Sequence, residues 1–264
     1  MANLTSRLAE LSPAARRLCN SALLTDREVE EVEGMQVNRA RVEAGRDFVS
    51  EGTPFTTAFA LRDGWAMRYR TTPEGKRQIL SFVLPGDFVG LHSNYERHAA
   101  YSVQAVTDIE TAMIEPIRLM EMYRTFPVLA SGLDWLTVTT FNVVAEHAVS
   151  IGVRSARDRI LHLLLELECR LMAIGLADDE GFSSPLTQVH IAESLGLTSV
   201  YVSRCLTAMR NEGLVTIRRG QVHFPDLART LSAVDFEPTF LERFRVRGRA
   251  PNGFVRDDPL LTVN

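Results

Sequence analysis

The feature that most constrains the fold of this chain is the segment TQVHIAESLGLTSVYVSRCLTAMRNEGLVTIRRGQVHF, residues 187–224. Two short helices are predicted there, at about 188–195 and 199–211, with Leu-Gly-Leu-Thr between them. Gly196 suits the left-handed residue that ends the first helix, and Thr198 suits the N-cap of the second. A β-hairpin follows, with its turn at Arg219-Gly220. Two helices, a glycine turn and a hairpin are the pattern of a winged helix-turn-helix.

The second of these helices has two chemically different faces. A stripe with the i, i+3, i+4, i+7 spacing of a buried face is formed by Val202, Cys205, Leu206 and Met209. The opposite face carries Ser199, Val200, Ser203, Arg204 and Thr207. A helix in the major groove presents its N-terminal residues to base edges, where Arg reads guanine by a bidentate contact. Hydroxyl groups can bond phosphates or bases, and a valine can meet a thymine methyl.

A DNA-binding surface is therefore predicted on the two helices and the wing. Two Arg residues on the wing are expected to contact phosphates, while Arg204 is expected to contact bases. Four Arg against two Glu give residues 184–225 a net charge of +2, although the whole chain carries −4. The alternative for this face is an ordinary solvated helix surface. The predicted DNA-binding residues are Thr187, Gln188, Ser199, Val200, Tyr201, Ser203, Arg204, Arg218 and Arg219.

The first half of the chain has a strand-like pattern over residues 38–115. Its β-forming stretches are separated by turn signals, and glycines recur about every ten residues, as in a small antiparallel barrel or roll. These glycines are Gly45, Gly52, Gly64, Gly75 and Gly86. Short helices are expected before the roll, one of them opened by Thr25 and Glu28 at the spacing of a capping box.

Residues 116–176 change to a helical period. One long helix has an apolar face with few charges, formed by Leu129, Leu133, Leu136, Phe141 and Val144. Such a face needs a partner, and we expect it to be the seam of a homodimer; a core within the chain is the alternative. A second helix is opened by Ser155, with Asp158 three residues later.

Composition limits the compartment and the chemistry. The 264 residues suggest two domains, and no apolar run seems to reach the roughly 20 residues that span a bilayer. The N-terminus lacks the layout of a secretory signal. Cys19, Cys169 and Cys205 are far apart and odd in number, which favours a reducing cytoplasm and cannot supply four thiolates for an iron–sulfur cluster.

Together these features resemble the Crp/Fnr superfamily of transcription regulators over about residues 25–240. The resemblance rests on the glycine-spaced roll with LPGDFVGLHS, on the long helix and on the segment from residue 186. It implies an α+β fold with an N-terminal antiparallel β-roll of the cyclic-nucleotide-binding type, a long dimerisation helix and a C-terminal winged helix-turn-helix. Ser203-Arg204 matches the family's recognition pair, whereas Val200 stands where many members carry Glu.

The resemblance also implies a domain layout and partners. The predicted division is 1–125 for the sensory roll with its N-terminal helices, 126–153 for the dimerisation helix and hinge, and 154–240 for the DNA-binding domain. Residues 241–264 are predicted to be a loosely ordered basic tail, either solvated or in contact with phosphates, with Arg at four alternate positions from Arg243 to Arg249. The implied partners are a palindromic operator in double-stranded DNA, a second copy of the chain and RNA polymerase, with no membrane.

The effector is left open by the sequence. Family members that bind cyclic nucleotides hold the ribose with a Gly-Glu step and the phosphate with an Arg followed by a small residue. Gly86-Asp87 resembles the first element, and Arg97-His98 stands near the second. Because His98 is bulky, it crowds the phosphate position. We therefore expect cyclic nucleotides to bind weakly or not at all, and we name no cofactor.

Several other side chains admit a sharper interpretation and a plainer one. His92, Glu96 and His98 could ligate a metal, which would suit the alternative function of a β-roll metal-dependent enzyme or ligand-binding protein with an accessory DNA-binding domain. A solvated loop is the favoured interpretation, so no metal site and no catalytic residue are predicted. His147 and His162 could ligate haem but are expected to be packed or exposed histidines. Cys19 could be a redox thiol beside Arg16 and Arg17, although burial is favoured.

Overall fold

The computed structural model describes residues 10–21, 24–92 and 98–241. The chain begins with α1 (Pro13–Ser21) and α2 (Asp26–Gly34). The predicted capping box opens α2: the Glu28 N–H donates to Thr25 Oγ1 at 3.3 Å, and the Thr25 N–H donates to Glu28 Oε2 at 2.8 Å. These two helices pack on the outside of the roll, with Leu18 and Val32 fully buried.

Two antiparallel sheets form the roll, as predicted. One sheet has the order β1-β8-β3-β6 and the other has the order β2-β7-β4-β5. Residues between the sheets are apolar and form one core, which includes Val49, Leu61, Val83 and Val103. The strands are β1 (Arg39–Val42), β2 (Asp47–Val49), β3 (Ala58–Asp63), β4 (Ala66–Thr71), β5 (Arg77–Val83), β6 (Phe88–Val89), β7 (Ser102–Ala105) and β8 (Ile109–Ile114).

Two helices follow the roll, α3 (Pro116–Thr125) and the long α4 (Pro127–Val153). Leu129, Leu133 and Leu136 are buried against α1 and the roll, so they belong to a core within the chain. The prediction that they line the dimer seam together with Phe141 and Val144 is wrong for these three leucines. Phe141 and Val144 are 71% and 36% exposed. The helix is apolar on two sides, and a period of 3.6 residues does not say which side faces the chain.

By length and composition, α4 could also cross a membrane. This corrects the expectation that no segment approaches the necessary apolar length. In the structure one side of α4 contacts α1 and β5, and His147 on that side is hydrogen-bonded to Glu166. We therefore interpret α4 as a helix with one side in the core of the chain and one side open to a partner.

The C-terminal part contains the predicted helix-turn-helix and wing. Its elements are α5 (Ala156–Met172), β9 (Ala177–Asp178), β10 (Gly181–Ser183), α6 (Gln188–Leu195), α7 (Ser199–Asn211), β11 (Thr216–Arg218), β12 (Gln221–His223), α8 (Leu227–Ser232) and a 3₁₀ turn at Pro238–Leu241. Ser155 caps α5 by accepting from the Asp158 N–H at 3.2 Å, as predicted. The β9–β10 hairpin was not predicted; it extends the wing into a four-stranded sheet. Its strands have only two and three residues, which is too short for a recognisable alternation.

The roll and the DNA-binding part are packed directly on each other. Trp65 of the roll stacks on Phe182 with 6.4 Å between ring centroids. Arg77 on β5 pairs with Glu193 on α6 at 2.7 Å, and the Gln78 side chain donates to the Ser194 carbonyl at 2.9 Å. The first helix of the helix-turn-helix therefore rests on strand β5 of the roll.

Glu168 on α5 gives the fold a predicted pH dependence. Its carboxylate oxygens are buried without hydrogen-bond partners, and burial, followed by the charges of Asp178 and Asp179, raises its pKa from 4.5 to about 8. The folded state therefore retains the proton more strongly than the unfolded state, and stability present at low pH is lost as the pH rises from about 4.5 to about 8. We expect Glu168→Gln to stabilise the protein at pH 8 by about 1–3 kcal/mol. Urea unfolding at pH 5 and pH 8 measures this.

The matched control is Glu180→Gln, which changes an exposed glutamate on the neighbouring hairpin. That variant should follow the wild-type pH dependence. A Glu168→Gln protein with the same loss of stability between pH 5 and pH 8 as the wild type would contradict the assignment.

Candidate nucleic-acid interface and interdomain cleft

The helix-turn-helix is positioned by local hydrogen bonds. Thr187 opens α6 by accepting from the His190 N–H at 3.2 Å. Gly196 ends that helix with φ of 64°, a left-handed conformation that suits glycine. Thr198 then opens α7 by accepting from the Tyr201 N–H at 3.2 Å. The turn thus fixes the angle between the two helices with the residues identified in the sequence.

The two faces of α7 are separated as the sequence pattern predicts. Val202 and Met209 are buried in the core of the C-terminal part, and Cys205 and Leu206 pack against that core. On the other side Val200 is 62% exposed, and Arg204 and Thr207 are also exposed.

An open groove runs along this exposed side of α7. The structure brings Gln188 of α6 into the groove with four of the predicted α7 residues, whereas Tyr201 and Thr187 are exposed beside it. Asn211 also lines the groove and was missed; it lies seven residues after Arg204, which is the spacing of a shared helix face. The groove is lined by Gln188, Ser199, Val200, Ser203, Arg204, Thr207, Ala208 and Asn211.

Positive charge is concentrated on this face by ion pairs that remove the acidic side chains. Glu193 pairs with Arg77 of the roll at 2.7 Å, and Glu212 pairs with Arg157 at 2.7 Å. Within the described part of the chain, Arg204, Arg218 and Arg219 make no ion pair. The mild excess of charge in the sequence therefore becomes a cationic surface in the fold, as phosphate binding requires.

The wing places two of these arginines at its tip. β11 and β12 pair in antiparallel register, with Arg218 opposite Gln221. Arg219 and Gly220 form the two-residue turn with φ of 50° and 75°. Both values are positive, which is typical of the tight turn that joins short hairpin strands. Arg218 and Arg219 are both exposed, so the wing presents their guanidinium groups to solvent beside α7.

The residues predicted to hold an effector have internal partners instead. Gly86 has φ of 88°, and a Cβ there would lie 2.8 Å from the Pro13 carbonyl oxygen, so its small size lets α1 approach the roll. The Asp87 carboxylate is buried and pairs with Arg17 and, at 2.5 Å, with Arg170. It also accepts from the Leu84 N–H at 2.8 Å. This is a correction to the predicted ligand contact of Gly86-Asp87, because neither residue is open to a ligand.

The other half of that prediction is only partly visible. Arg97 and Glu96 lie outside the described residues. His98 is exposed and pairs with Pro54 through an isolated β-bridge. His92 is described, but no group of three or more His, Cys, Asp or Glu side chains among the described residues is arranged to hold a metal.

A narrow cleft lies where the roll, α1, α4 and α5 meet. Its volume is about 200 Å³, whereas pockets for ligands of nucleotide size are about 300–1,000 Å³. Arg68 and Phe82 occupy the space between the roll and α4. A cyclic nucleotide therefore does not fit the residues present. The cleft is lined by Arg17, Arg68, Ser81, Phe82, Thr139, Thr140, Val143 and Arg170.

The two helical histidines are packed inside the chain. His147 lies with Nε2 2.6 Å from Glu166 Oε2 and Nδ1 3.1 Å from the Leu80 carbonyl. Burial by itself lowers the pKa of His147, but the Glu166 carboxylate and these hydrogen bonds outweigh it and raise the pKa. His162 lies 2.9 Å from the Val234 carbonyl, and burial lowers its pKa. Both side chains have structural partners that a haem iron would have to displace.

Cys19 is half-buried on α1. Burial, together with the charge of Glu33, raises the pKa of its thiol. A raised pKa reduces the thiolate fraction, so the environment does not favour a reactive redox cysteine.

Comparison with known families and proteins agrees with this architecture. Residues 39–126 match the cyclic nucleotide-binding domain family, and residues 158–229 match the Crp-like helix-turn-helix domain family. The chain is 31% identical over 192 residues to the nitrogen fixation regulation protein FixK of Bradyrhizobium diazoefficiens, covering 72% of this chain and 79% of that protein. It is 29% identical over 193 residues to the transcriptional activator protein FnrL of Cereibacter sphaeroides, covering 72% and 77% of the two chains.

Solved structures share the fold. The structure of FixK2 from Bradyrhizobium japonicum superposes with a TM-score of 0.66 at 23% identity and covers 74% of this chain and 96% of that chain. The α+β arrangement of β-roll, long helix and winged helix-turn-helix predicted from the sequence is thereby confirmed. With both domain families in order along the chain and FixK as a relative, the chain belongs to the Crp/Fnr family of transcription regulators.

Proposed function

We propose that this regulator binds a palindromic operator as a homodimer, in the cytoplasm, with α7 of each copy in the major groove. The observation that carries the proposal is the exposed N-terminal face of α7, where Ser199, Val200, Ser203 and Arg204 line one groove with no acidic neighbour in an ion pair. A two-fold axis relates two such helices, so two half-sites about one turn of DNA apart are expected.

The exposed side of α4 supports the homodimer. Its residues repeat at intervals of three and four, the spacing of a two-helix seam, and include Val138, Phe141, Ala145, Ala148 and Gly152. The bulky side chains come first and the small ones last. A second copy related by a two-fold axis buries the same residues from both chains, which matches this self-complementary stripe.

The DNA contacts divide by position. Arg204 lies near the start of α7 and opposite its buried stripe, so it is placed to reach base edges. Arg218 and Arg219 lie on the wing, where phosphates are the expected targets. Thr187 and Gln188, at the start of α6, are positioned to contact the backbone. RNA polymerase is a further expected partner, and no enzymatic activity is proposed, because no described cluster of side chains suggests one.

Base reading and phosphate contact can be separated by mutation. We expect Arg204→Ala to cost about 1–3 kcal/mol of operator affinity and to relax the preference at one position of each half-site. Arg218→Ala should weaken all sequences alike and reduce the salt dependence by about one unit per lost contact in each subunit. The measurement is binding to an operator and its single-base variants at several salt concentrations.

Arg210→Ala is a control on the same helix, because Arg210 is exposed at the end of α7 and does not line the groove. It should retain the wild-type base preference. If Arg204→Ala keeps the full sequence preference while Arg218→Ala loses it, the recognition surface has been assigned to the wrong element.

A further inference from the structure

Three arginines from three different elements converge on the narrow cleft between the roll and the DNA-binding part. Arg17 comes from α1, Arg68 from β4 and Arg170 from α5, and all three are nearly inaccessible to solvent. Guanidinium groups remain charged in proteins, so each one needs a compensating group when it leaves water.

The acidic side chains near the cleft compensate two of these charges. Asp87 pairs with Arg17 and Arg170, and Glu166 pairs with Arg170 at 2.7 Å. Glu166 also accepts the hydrogen bond of His147, which adds positive charge whenever that ring is protonated. Three guanidinium groups against two carboxylates leave at least one positive charge in the cleft.

Arg68 is the side chain left without an acidic partner. It donates to the Ser81 hydroxyl at 3.2 Å and to the Phe88 carbonyl at 2.7 Å, and it lies 6.0 Å from the centre of the Tyr101 ring. All three partners are neutral, and no described carboxylate forms an ion pair with it. A buried charge with only neutral partners is costly, because its hydration is lost without an opposite charge nearby.

Donor groups without partners lie in the same place. The Nε–H groups of Arg68 and Arg170 are buried and have no hydrogen-bond partner. The hydroxyl groups of Ser81, Thr139 and Thr140 line the same cleft. Guanidinium N–H groups and hydroxyls together are the usual binding set for an oxyanion.

We propose that this cleft binds a small oxyanion, a carboxylate or phosphate group, as the missing counter-ion of Arg68. The volume of about 200 Å³ restricts the ligand to a few heavy atoms, and the lining side chains must separate slightly to admit it. The ligand would contact α1, β4, α4 and α5 at once. An effect of the ligand on DNA affinity rests on the proposed function, whereas binding itself does not.

The test measures the thermal unfolding midpoint and the calorimetric heat of the full-length protein without DNA. The probes are sodium phosphate and sodium acetate, each compared with sodium chloride at equal ionic strength. For the wild type we expect saturable heat with at least one of them and a rise in the midpoint of about 2–4 °C. Phosphate alone, or acetate alone, then identifies the source of the oxyanion. 3′,5′-Cyclic AMP should give no saturable heat, because it is too large.

Arg68→Met keeps the length of the side chain and removes its charge. In sodium chloride this variant should unfold at the wild-type temperature or above it, since the uncompensated buried charge is gone, and it should lose the response to oxyanions. Arg70→Met is the control, because Arg70 lies on the same strand but is exposed and paired with Glu51. It should respond like the wild type.

Two results would overturn the proposal. One is a wild type that shows no saturable heat with phosphate or acetate, a measurement that decides the question even if Arg68→Met does not fold. The other is an Arg68→Met protein that retains the full response. Because these measurements use no DNA, failure of the DNA-binding proposal would leave their outcome unchanged.

Discussion

Replacing Phe141 with aspartate is expected to dissociate the regulator into monomers and to abolish tight operator binding. Phe141 is the largest exposed apolar side chain on the free side of α4. In a two-fold dimer the substitution places two carboxylates close to each other in an apolar seam, where neither is solvated. Loss of the second half-site should reduce operator affinity by about 100- to 10,000-fold. Sedimentation and titration with operator DNA measure the two effects.

Ile117→Asp is the matched control, because Ile117 is 60% exposed on α3 and lies outside the proposed seam. It should sediment like the wild type and bind the operator with unchanged affinity. The dimer proposal fails if wild-type protein sediments as a monomer at micromolar concentration both with and without operator DNA. It also fails if Phe141→Asp remains a dimer.

A large loss of stability is expected for Asp87→Asn. If Asp87 served a ligand, the substitution would mainly affect ligand binding. In the structure its carboxylate is instead the partner of Arg17 and Arg170 and accepts from the Leu84 N–H. Removing that charge leaves two buried guanidinium groups with weaker compensation, for which about 3–5 kcal/mol is the typical cost. Denaturant unfolding of wild type and variant at neutral pH gives the difference.

Glu51→Gln is the control for this measurement. Glu51 pairs with Arg70 on the exposed surface of the roll, and such a pair contributes about 0–1 kcal/mol. An Asp87→Asn protein with wild-type stability would show that the buried ion pairs contribute little. The carboxylate would then be free to serve an effector, as the comparison of Gly86-Asp87 with the family pattern suggests.

The sequence by itself determined the parts of the fold that depend on local chemistry. Helix ends at Thr187, Gly196 and Thr198 are set by side chains within three or four residues of the backbone groups they satisfy. The wing turn at Arg219-Gly220 follows from two residues with positive φ. The stripe of Val202 and Met209 follows from the helical period alone. These signals sufficed for the roll, the long helix and the winged helix-turn-helix.

Only the tertiary structure decided which partner each residue meets. α4 is apolar on two sides, and the packing of α1 and the roll assigns Leu129, Leu133 and Leu136 to the interior while leaving Phe141 outside. Asp87 is separated from Arg170 by 83 positions in the chain, so no spacing in the sequence reveals their pairing. The same is true of the cleft, where Arg68 lies among groups from α1, α4 and α5. Compensation of buried charge depends on distance in space, and that distance exists only after the elements have packed.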